Sequence, residues 1–501
     1  MGNTERLDQR TWTRDALQPP DSMAAKLGLH PFRWDWNSPL LIPSSGAAGH
    51  PLPGRAEGKT SAVPPGARTT FLLGANYVFR CTVPLRMPLT PDSYGEKYCR
   101  VISPDLSAQQ TRTPHGFRDG YHSYGALSSL APSPVDPRVL WAGADDGPVW
   151  VTRDNGAHWT RTAAASSASA DAGQMRSVFM VSPVPQDAVV SHIETSRSAS
   201  GAAYIVLNRM TLNDSRPYIY YTRNFGSTWF DVTGDLPKDG PAYVLREDPK
   251  NPQVLYAGTE FGLYVSLNQG RHWARWNTQL PMAPVRTLAI QPRDRELVVG
   301  TFGRGIYIAD IGSLPQLSAA LTSNSSFLFD AGSAVAFHTR YTYGTNIEQL
   351  NGDMFFRTHN PPYGAPFYYY LAQPHRSGVR LNITDAHGKF VRSLLEPSTP
   401  GFHAVNWDLD WQLQILMQKL KYRTTTERVE HPEIQDEELK FTYDERLARR
   451  LVPAGTYRVT LYPNDAPEAS LDKLPPPLAP SVTVHVKDED PATSRVGSIR
   501  K

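Results

Sequence analysis

The sequence predicts an all-β fold: a β-propeller of about five blades, which we expect to be an incomplete ring, followed by an immunoglobulin-like β-sandwich. Three observations predict it. The 44 prolines and 36 glycines fall between short apolar runs, as expected of many strands and turns. A nine-residue motif occurs three times. The last third of the chain has alternating strands without that motif.

Length and charge exclude several classes of protein. A chain of 501 residues is too long for one compact core unless the core is built by radial repetition. The formal net charge is +3, with 51 basic and 48 acidic residues, so nothing indicates nucleic acid or an anionic membrane as a partner. No apolar run approaches the roughly 20 residues that span a bilayer. The 14 histidines lack ligand spacing, and we expect no metal or cofactor.

The predicted order of domains follows the position of the repeats. We expect an N-terminal extension (1–30), propeller blades (31–315), a linker with first strands (316–358), a sandwich (359–490) and a tail (491–501). A charged insertion at 412–451 interrupts the sandwich, and its first part has helical spacing.

The repeated motif is "TRDNGAHWT" at 152–160, and we refer to each copy as a label. Its framework returns as "TRNFGSTWF" at 222–230 and as "SLNQGRHWA" at 266–274. The glycines at 156, 226 and 270 are 70 and 44 residues apart. The shorter spacing is in the range of roughly 40–50 residues that a four-stranded blade needs. Before the first and third labels, "DPRVLWAGADDGPVWV" and "NPQVLYAGTEFGLYVS" align without a gap.

Each label predicts a tight turn between two strands of a blade. Its glycine supplies the positive φ of such a turn, and its Asp or Asn can accept hydrogen bonds from the N–H groups of the turn. Its tryptophan brings a large apolar face between blades. Two labels have Asn, a change that a catalytic carboxylate does not tolerate, so the labels are predicted to be structural. Their residues are Asp154, Gly156, Trp159, Asn224, Gly226, Trp229, Asn268, Gly270 and Trp273.

The labels resemble the Asp-box (BNR) repeat, S-x-D-x-G-x-T-W, of sialidases, sortilin-type receptors and xyloglucanase-type glycosidases. "WDWNSP", "ISPDL", "GALSSLAPSPVDP" and "GTEFGLYVS" make the chain most similar to large bacterial sortilin N-terminal-like propeller proteins, over about residues 30–490. The resemblance implies a propeller, further blades upstream, and a secreted or periplasmic location if the N-terminus is truncated. It does not imply an activity, because enzymes and non-enzymes share the repeat.

The candidate catalytic and ligand-contacting residues lie after the second strand of each predicted blade. The glycines of that strand precede Asn76, Asp145, Glu260 and Phe302, which occupy one position in four blades. Asp145 and Glu260 are the candidate catalytic pair, since two carboxylates facing each other can hydrolyse a glycosidic bond. Asn76, Asp146 and Arg304 are candidate ligand contacts on the same rim.

The sequence is compatible with two functions. The leading hypothesis is a propeller that binds a glycan or protein at its channel face. The alternative is a xyloglucanase-like glycoside hydrolase, because Asp145 in "ADDGP" partly matches the T-D-x-G-G context of the catalytic Asp in that family, while Glu260 in "TEFGL" matches less well. The arginines and Tyr–Glu pair of a sialidase cannot be placed. A third interpretation is that Asp145 and Glu260 are solvated loop acids or caps for neighbouring N–H groups.

The C-terminal third and the termini add less. "VRLNITDAHGKFVRSL" predicts a hairpin that turns at His387–Gly388, and in "YYYL" we expect alternation to bury half of the aromatic rings. Cys81 and Cys99 either form a disulfide across neighbouring strands or remain separate thiols. The first residues have no apolar core, so no secretory signal is predicted.

Overall fold

A computed structural model describes most of the chain. The described residues are 5–7, 14–16, 18–35, 37–42, 67–84, 97–108, 124–162, 183–185, 187–276, 280–322, 325–336, 362–396, 398–411, 451–464 and 474–488. The predicted insertion and the predicted C-terminal tail lie outside them, apart from the last residue of the insertion. Two compact units result: residues 1–290 with 297–309, and residues 291–296 with 310–501.

The first unit is a series of antiparallel sheets, each made of consecutive strands, and the prediction of propeller blades is confirmed. A ribbon of β1 (Glu5–Leu7) and β2 (Arg14–Ala16), and helix α1 (Asp21–Lys26), precede them. Blade 1 has β3 (Leu40–Leu41), β4 (Arg68–Gly74), β5 (Val78–Pro84) and β6 (Cys99–Val101). Blade 2 has β7 (Leu127–Pro132), β8 (Leu140–Ala144), β9 (Val149–Thr152) and β10 (Thr160–Arg161).

Three further sheets complete this series in the described residues. Blade 3 has β11 (Val189–Thr195), β12 (Ala203–Arg209), β13 (Asp214–Thr222) and β14 (Phe230–Asp231), with a 3-10 turn at Met210–Leu212. Blade 4 has β15 (Ala242–Glu247), β16 (Leu255–Thr259), β17 (Gly262–Ser266) and β18 (Ala274–Arg275). Blade 5 has β19 (Val285–Gln291), β20 (Glu296–Thr301) and β21 (Ile306–Asp310).

Neighbouring blades pack face to face through apolar side chains. β8 and β16 are buried at every position, because both faces of a middle strand are covered. Separate apolar clusters lie between blades 1 and 2, 2 and 3, and 3 and 4. The label tryptophans belong to these clusters: Trp229 lies in the one between blades 2 and 3, and Trp273 in the one between blades 3 and 4.

The two ends of the series differ. The face of blade 1 that carries Phe71 and Phe79 is covered by Met23 of α1 and by Trp34, whose ring stacks on Phe79 at 5.6 Å. In blade 5, Ile306 and Ile308 lie two residues apart on one strand and are 74% and 63% exposed. Strand alternation places both on the same face of the sheet. Blade 5 therefore presents an apolar face to solvent.

Each label forms the same closed turn. Thr152, Thr222 and Ser266 accept a hydrogen bond from the glycine N–H four residues later, at 2.9, 3.1 and 2.9 Å. Oδ1 of Asp154, Asn224 and Asn268 accepts a bond from the N–H four residues later, at 2.8, 2.9 and 2.9 Å. The glycines have φ of 97°, 76° and 85°. A carboxylate and an amide oxygen accept this bond equally well.

The cysteines lie directly opposite each other. Cys81 of β5 pairs with Cys99 of β6, and the two form a disulfide. Of the two arrangements that the sequence leaves open, the structure has the bonded one.

The second unit contains two sheets around a shared core, the β-sandwich expected after the propeller. One sheet is β22 (Phe327–Leu328), β24 (Ala365–Leu371) and β27 (Gly401–Trp407). The other has the order β23 (Ser333–Ala336), β29 (Val482–Asp488), β28 (Gly455–Pro463), β25 (Val379–Asp385) and β26 (Phe390–Glu396). Helix α2 (Leu314–Thr322) precedes them. Phe367 and Tyr369 are fully buried whereas Tyr368 and Tyr370 are half-buried, the alternation expected of "YYYL".

The helices of the described residues are short, and none is long and apolar enough to cross a membrane.

Candidate functional site

The position shared by Asp145, Glu260 and Phe302 is structurally equivalent in blades 2, 4 and 5. In each blade the N–H of this residue donates to the carbonyl just before the first strand. The bonds run to Ala126, Pro241 and Pro284, at 2.9, 3.0 and 2.8 Å. We refer to this end of the blades, where the second strand turns into the third, as the slot end. The labels follow the third strand, so they lie at the opposite end.

Asp145 is held by backbone donors at the start of β7. It is 7% exposed, and its Oδ1 accepts hydrogen bonds from the N–H groups of Gly125 and Ala126 at 2.8 and 2.9 Å. Both described bonds use the same oxygen. The carboxyl group therefore keeps Oδ2 as the atom that can carry a proton.

Burial and neighbouring acids keep Asp145 protonated near neutral pH. Burial raises the pKa of Asp145 to about 8, and the charges of Asp146 and Asp35 add to the rise, against the two backbone bonds that lower it. Tyr124 lies in the same acidic surroundings, and burial together with Asp145 and Asp146 raises its pKa to about 12. A buried acid with a pKa near neutrality can donate a proton, which is the chemistry expected of a general acid.

Asn76 occupies the corresponding position of blade 1, but its amide is used inside the protein. It is fully buried, accepts a bond from the N–H of Arg33 at 2.8 Å, and donates to Asp105 at 2.9 Å. Arg33 forms an ion pair with Asp105 at 3.0 Å and donates to the carbonyl of Gly125 at 2.9 Å. This network links the segment before blade 1 to the residue that holds Asp145.

The charge of Asp105 is fixed by this network. Burial alone would raise the pKa of Asp105, but hydrogen bonds from Ser107 and Asn76 and the charge of Arg33 outweigh it, so the pKa lies below its usual value. Asp105 stays ionised where Asp145 is protonated. Environment, not residue type, separates the two acids.

Two predicted rim residues are not on the rim. Asp146 is 1% exposed, and its Oδ2 accepts a bond from the N–H of Ala108 at 2.8 Å. Asn76 is fully buried in the network above. Both belong to the junction of blades 1 and 2, because their polar atoms satisfy backbone and side-chain groups there. The interpretation of Asn76 and Asp146 as ligand contacts stays a prediction, and the hydrogen bonds described for both lie within the protein.

Glu260 lies in different surroundings from Asp145. It is half-buried, and its carboxylate accepts a hydrogen bond from the hydroxyl of Tyr243. Burial and this bond raise the pKa of Tyr243. The guanidinium of Arg286 lies over the Tyr243 ring at 3.6 Å and 5.7 Å from the Phe302 ring. Glu260, Tyr243, Arg286 and Phe302 thus form one cluster across blades 4 and 5.

This cluster is accessible from solvent. Phe302 is 70% exposed and Phe261 is 36% exposed, and Arg286 is also exposed. The predicted rim residue Arg304 is also exposed, in a turn between Gly303 and Gly305, which both have positive φ. We call the group Tyr243, Glu260, Phe261, Arg286, Phe302 and Arg304 the slot surface.

The structure does not join the two candidate catalytic acids through any described contact. The charges that shift the pKa of Asp145 come from Asp146 and Asp35, and Glu260 is not among them. The described hydrogen bonds of Glu260 run to blade 4. Asp145 and Glu260 are equivalent by position, and each belongs to its own cluster.

In the part of the chain that the structure describes, no three His, Cys, Asp or Glu side chains are grouped so that they could hold a metal ion.

Sequence reasoning missed Arg33, Asp105, Tyr243 and Arg286. A signal existed for the first two, which lie beside or within "WDWNSP" and "ISPDL", segments that the resemblance already singles out. Tyr243 and Arg286 are single residues on the first strands of blades 4 and 5, and only the packing of those blades brings them together.

No protein-family model matches the chain, and no curated protein matches it. Among solved structures, YCF48 from Cyanidioschyzon merolae is 16% identical over 36% of this chain and 55% of its own, with a TM-score of 0.24. A GH74 xyloglucanase from Xanthomonas campestris is 18% identical over 48% of this chain and 43% of its own, with a TM-score of 0.27. PorZ from Porphyromonas gingivalis is 13% identical over 97% of this chain and 42% of its own, with a TM-score of 0.24. The chain thus spans about half the length of these proteins.

Proposed function

We propose that the chain is a ligand-binding propeller that holds a glycan on its slot surface and performs no chemistry there. The observation that carries the proposal is the exposed Phe302 beside Arg286, Tyr243 and Glu260. Aromatic faces stack on the apolar faces of sugar rings, and adjacent charged groups hydrogen-bond to sugar hydroxyls. The assignment to Asp-box, sortilin-like proteins is part of this proposal and rests on the labels.

The side chain of Arg286 is preorganised for a contact with a ligand. Its guanidinium is placed by the Tyr243 ring, and Tyr243 is in turn fixed by its bond to Glu260. A side chain that is already ordered loses less conformational entropy when a ligand binds. A protein ligand would make similar contacts, so the test has to include neutral glycans on their own.

The experiment is a titration of neutral β-glucan oligosaccharides into the wild type and Phe302→Ser, with Ile308→Ser as the matched control. Both substitutions remove an exposed apolar side chain from blade 5, and only Phe302 lies on the slot surface. We expect Phe302→Ser to weaken binding at least about tenfold and Ile308→Ser to leave it unchanged. Equal binding by all three proteins, or binding by none, contradicts the proposal.

Glycoside hydrolysis is the second candidate, and one observation favours it: Asp145 has a pKa of about 8 with one carboxyl oxygen outside its described bonds. A general acid of this kind needs a second carboxylate. The test is hydrolysis of β-glucan oligosaccharides by Asp145→Asn and Glu260→Gln, with Asp154→Asn as the control because two labels already have Asn. Activity that is lost in the first two variants alone supports a hydrolase; absence of activity in the wild type removes it.

We also propose that further blades cover the exposed face of blade 5. Ile306 and Ile308 are exposed there, whereas equivalent faces within the series are buried against the next blade. The occupant that fits is another sheet with an apolar face. Fluorescence of a hydrophobic dye should fall in Ile306→Ser with Ile308→Ser, and no change in fluorescence argues against an open apolar face.

A further inference from the structure

A groove of about 630 Å³ lies between blades 2 and 3 at the label end. It is far from the slot surface along the blades, because labels and slots are at opposite ends of the strands. Label 1 forms one wall, the turn before β8 a second, and the turn of label 2 a third. The groove is lined by Asp136, Arg138, Val139, Arg153, Asp154, His158, Thr160, Ser200 and Phe225.

Among the described residues, the charges that line the groove are paired except that of Arg153. Arg138 forms an ion pair with Asp136 at 2.9 Å, and His158 contacts Asp154 at 2.6 Å. Arg153 forms no ion pair with any carboxylate of the described residues, and its guanidinium lies 4.2 Å from the centre of the Phe225 ring. Within the part of the chain that the structure describes, the guanidinium of Arg153 therefore has no carboxylate partner and is oriented by the Phe225 ring.

Phe225 is an unusual residue for its backbone conformation. The residue before each label glycine has positive φ: Asn155 at 68°, Phe225 at 55° and Gln269 at 58°. Asn155 and Gln269 use that position to hydrogen-bond to the preceding blade, through Arg80 at 2.8 Å and Tyr204 at 3.1 Å. An aromatic residue is disfavoured in this conformation. At Phe225 the hydrogen bond is replaced by an aromatic ring that places Arg153 in the groove.

We propose that this groove binds an acidic sugar residue, with Arg153 on the carboxylate of a uronate. A planar guanidinium matches a carboxylate with two parallel hydrogen bonds. Ser200, Thr160 and the remaining lone pairs of Asp136 suit sugar hydroxyls, and the carboxylates of Asp136 and Asp154 repel a ligand that is anionic all over, such as phosphate. A groove of about 630 Å³ also exceeds what a small inorganic anion fills.

The test is calorimetric titration of trigalacturonate, with cellotriose and sodium phosphate as comparison ligands. The variants are Arg153→Ala and Phe225→Asn, and the matched control is Arg223→Ala, which alters the same position of the next label. Phe225→Asn introduces the residue that label 1 has at this position, and Asn tolerates positive φ, so the variant is expected to fold.

We expect the wild type to bind trigalacturonate and Arg153→Ala to bind it at least about tenfold more weakly. Phe225→Asn should also weaken it, while Arg223→Ala and Phe302→Ser should not. The last variant separates this site from the slot surface, so either proposal can fail alone. Absence of trigalacturonate binding, binding of phosphate or cellotriose to Phe302→Ser as tight as that of trigalacturonate, or an unchanged affinity for trigalacturonate in Arg153→Ala overturns the proposal.

Discussion

Asp145→Asn tests the electrostatics of the slot end directly. The folded protein raises the pKa of Asp145 from its ordinary 3.8 to about 8, chiefly by burial. Asp145 keeps its proton in the folded state at pH values where the unfolded state releases it. The contribution of Asp145 to the stability of the wild type is therefore fully present below about pH 4 and is lost as pH rises through 8. Asn keeps the oxygen that accepts from Gly125 and Ala126 and cannot ionise.

The expected magnitude follows from the two pKa values. A difference of about 4 pH units is worth about 5 kcal/mol, at about 1.4 kcal/mol per unit. The stability of Asp145→Asn relative to the wild type should therefore rise by about this amount from pH 4 to pH 9. Using the difference between two proteins removes the contributions of other buried acids.

The assay is guanidinium denaturation followed by tryptophan fluorescence at each pH. Asp154→Asn is the control: the hydrogen bonds from His158 lower the pKa of Asp154 to about 2, so its stability relative to the wild type should change far less between pH 4 and 9 than that of Asp145→Asn. A difference in stability between Asp145→Asn and the wild type that does not depend on pH would contradict a pKa of Asp145 raised by burial.

Three further predictions concern the free energy of unfolding. Gly226→Ala should lower it by about 3 kcal/mol and Gly303→Ala by about 1 kcal/mol. Both glycines have positive φ, but only at Gly226 does an added Cβ meet the preceding blade, at 2.4 Å. Equal losses of stability in denaturant titrations would contradict this. Replacing Cys81 and Cys99 by Ala should cost about 3 kcal/mol for a bridge across 18 residues, and a reductant should then affect only the wild type. Asp105→Asn should cost about 3 kcal/mol at pH 7, and the loss should shrink as pH falls through the lowered pKa of Asp105; a loss independent of pH would count against the network.

The repeats explain how much the sequence predicts. Label turns depend on residues within five positions of one another, so Asp154, Asn224 and Asn268 can be assigned from the chain alone. Alignment of repeats likewise places Asp145 and Glu260 at equivalent positions without knowledge of packing.

What the sequence does not predict depends on contacts between blades. Arg33 and Asp105 are 72 residues apart, and Arg286 meets Tyr243 only because blade 5 packs on blade 4. Asp146 is an acid in a loop, for which the sequence predicts exposure to solvent. In the structure it is 1% exposed and accepts a hydrogen bond from the N–H of Ala108. The equivalent position in a repeat therefore predicts the place of a residue on the backbone of the blade, but it does not predict which side chains surround that residue.

A glycan array probed with the wild type, Phe302→Ser and Asp154→Asn tests directly whether the slot surface holds the ligand. We expect neutral glycans bound by the wild type to be bound by Asp154→Asn as well and to be lost in Phe302→Ser, because the label is a structural turn and the slot surface holds the ligand. Retention of those glycans by Phe302→Ser, or their loss in a folded Asp154→Asn protein, would contradict it.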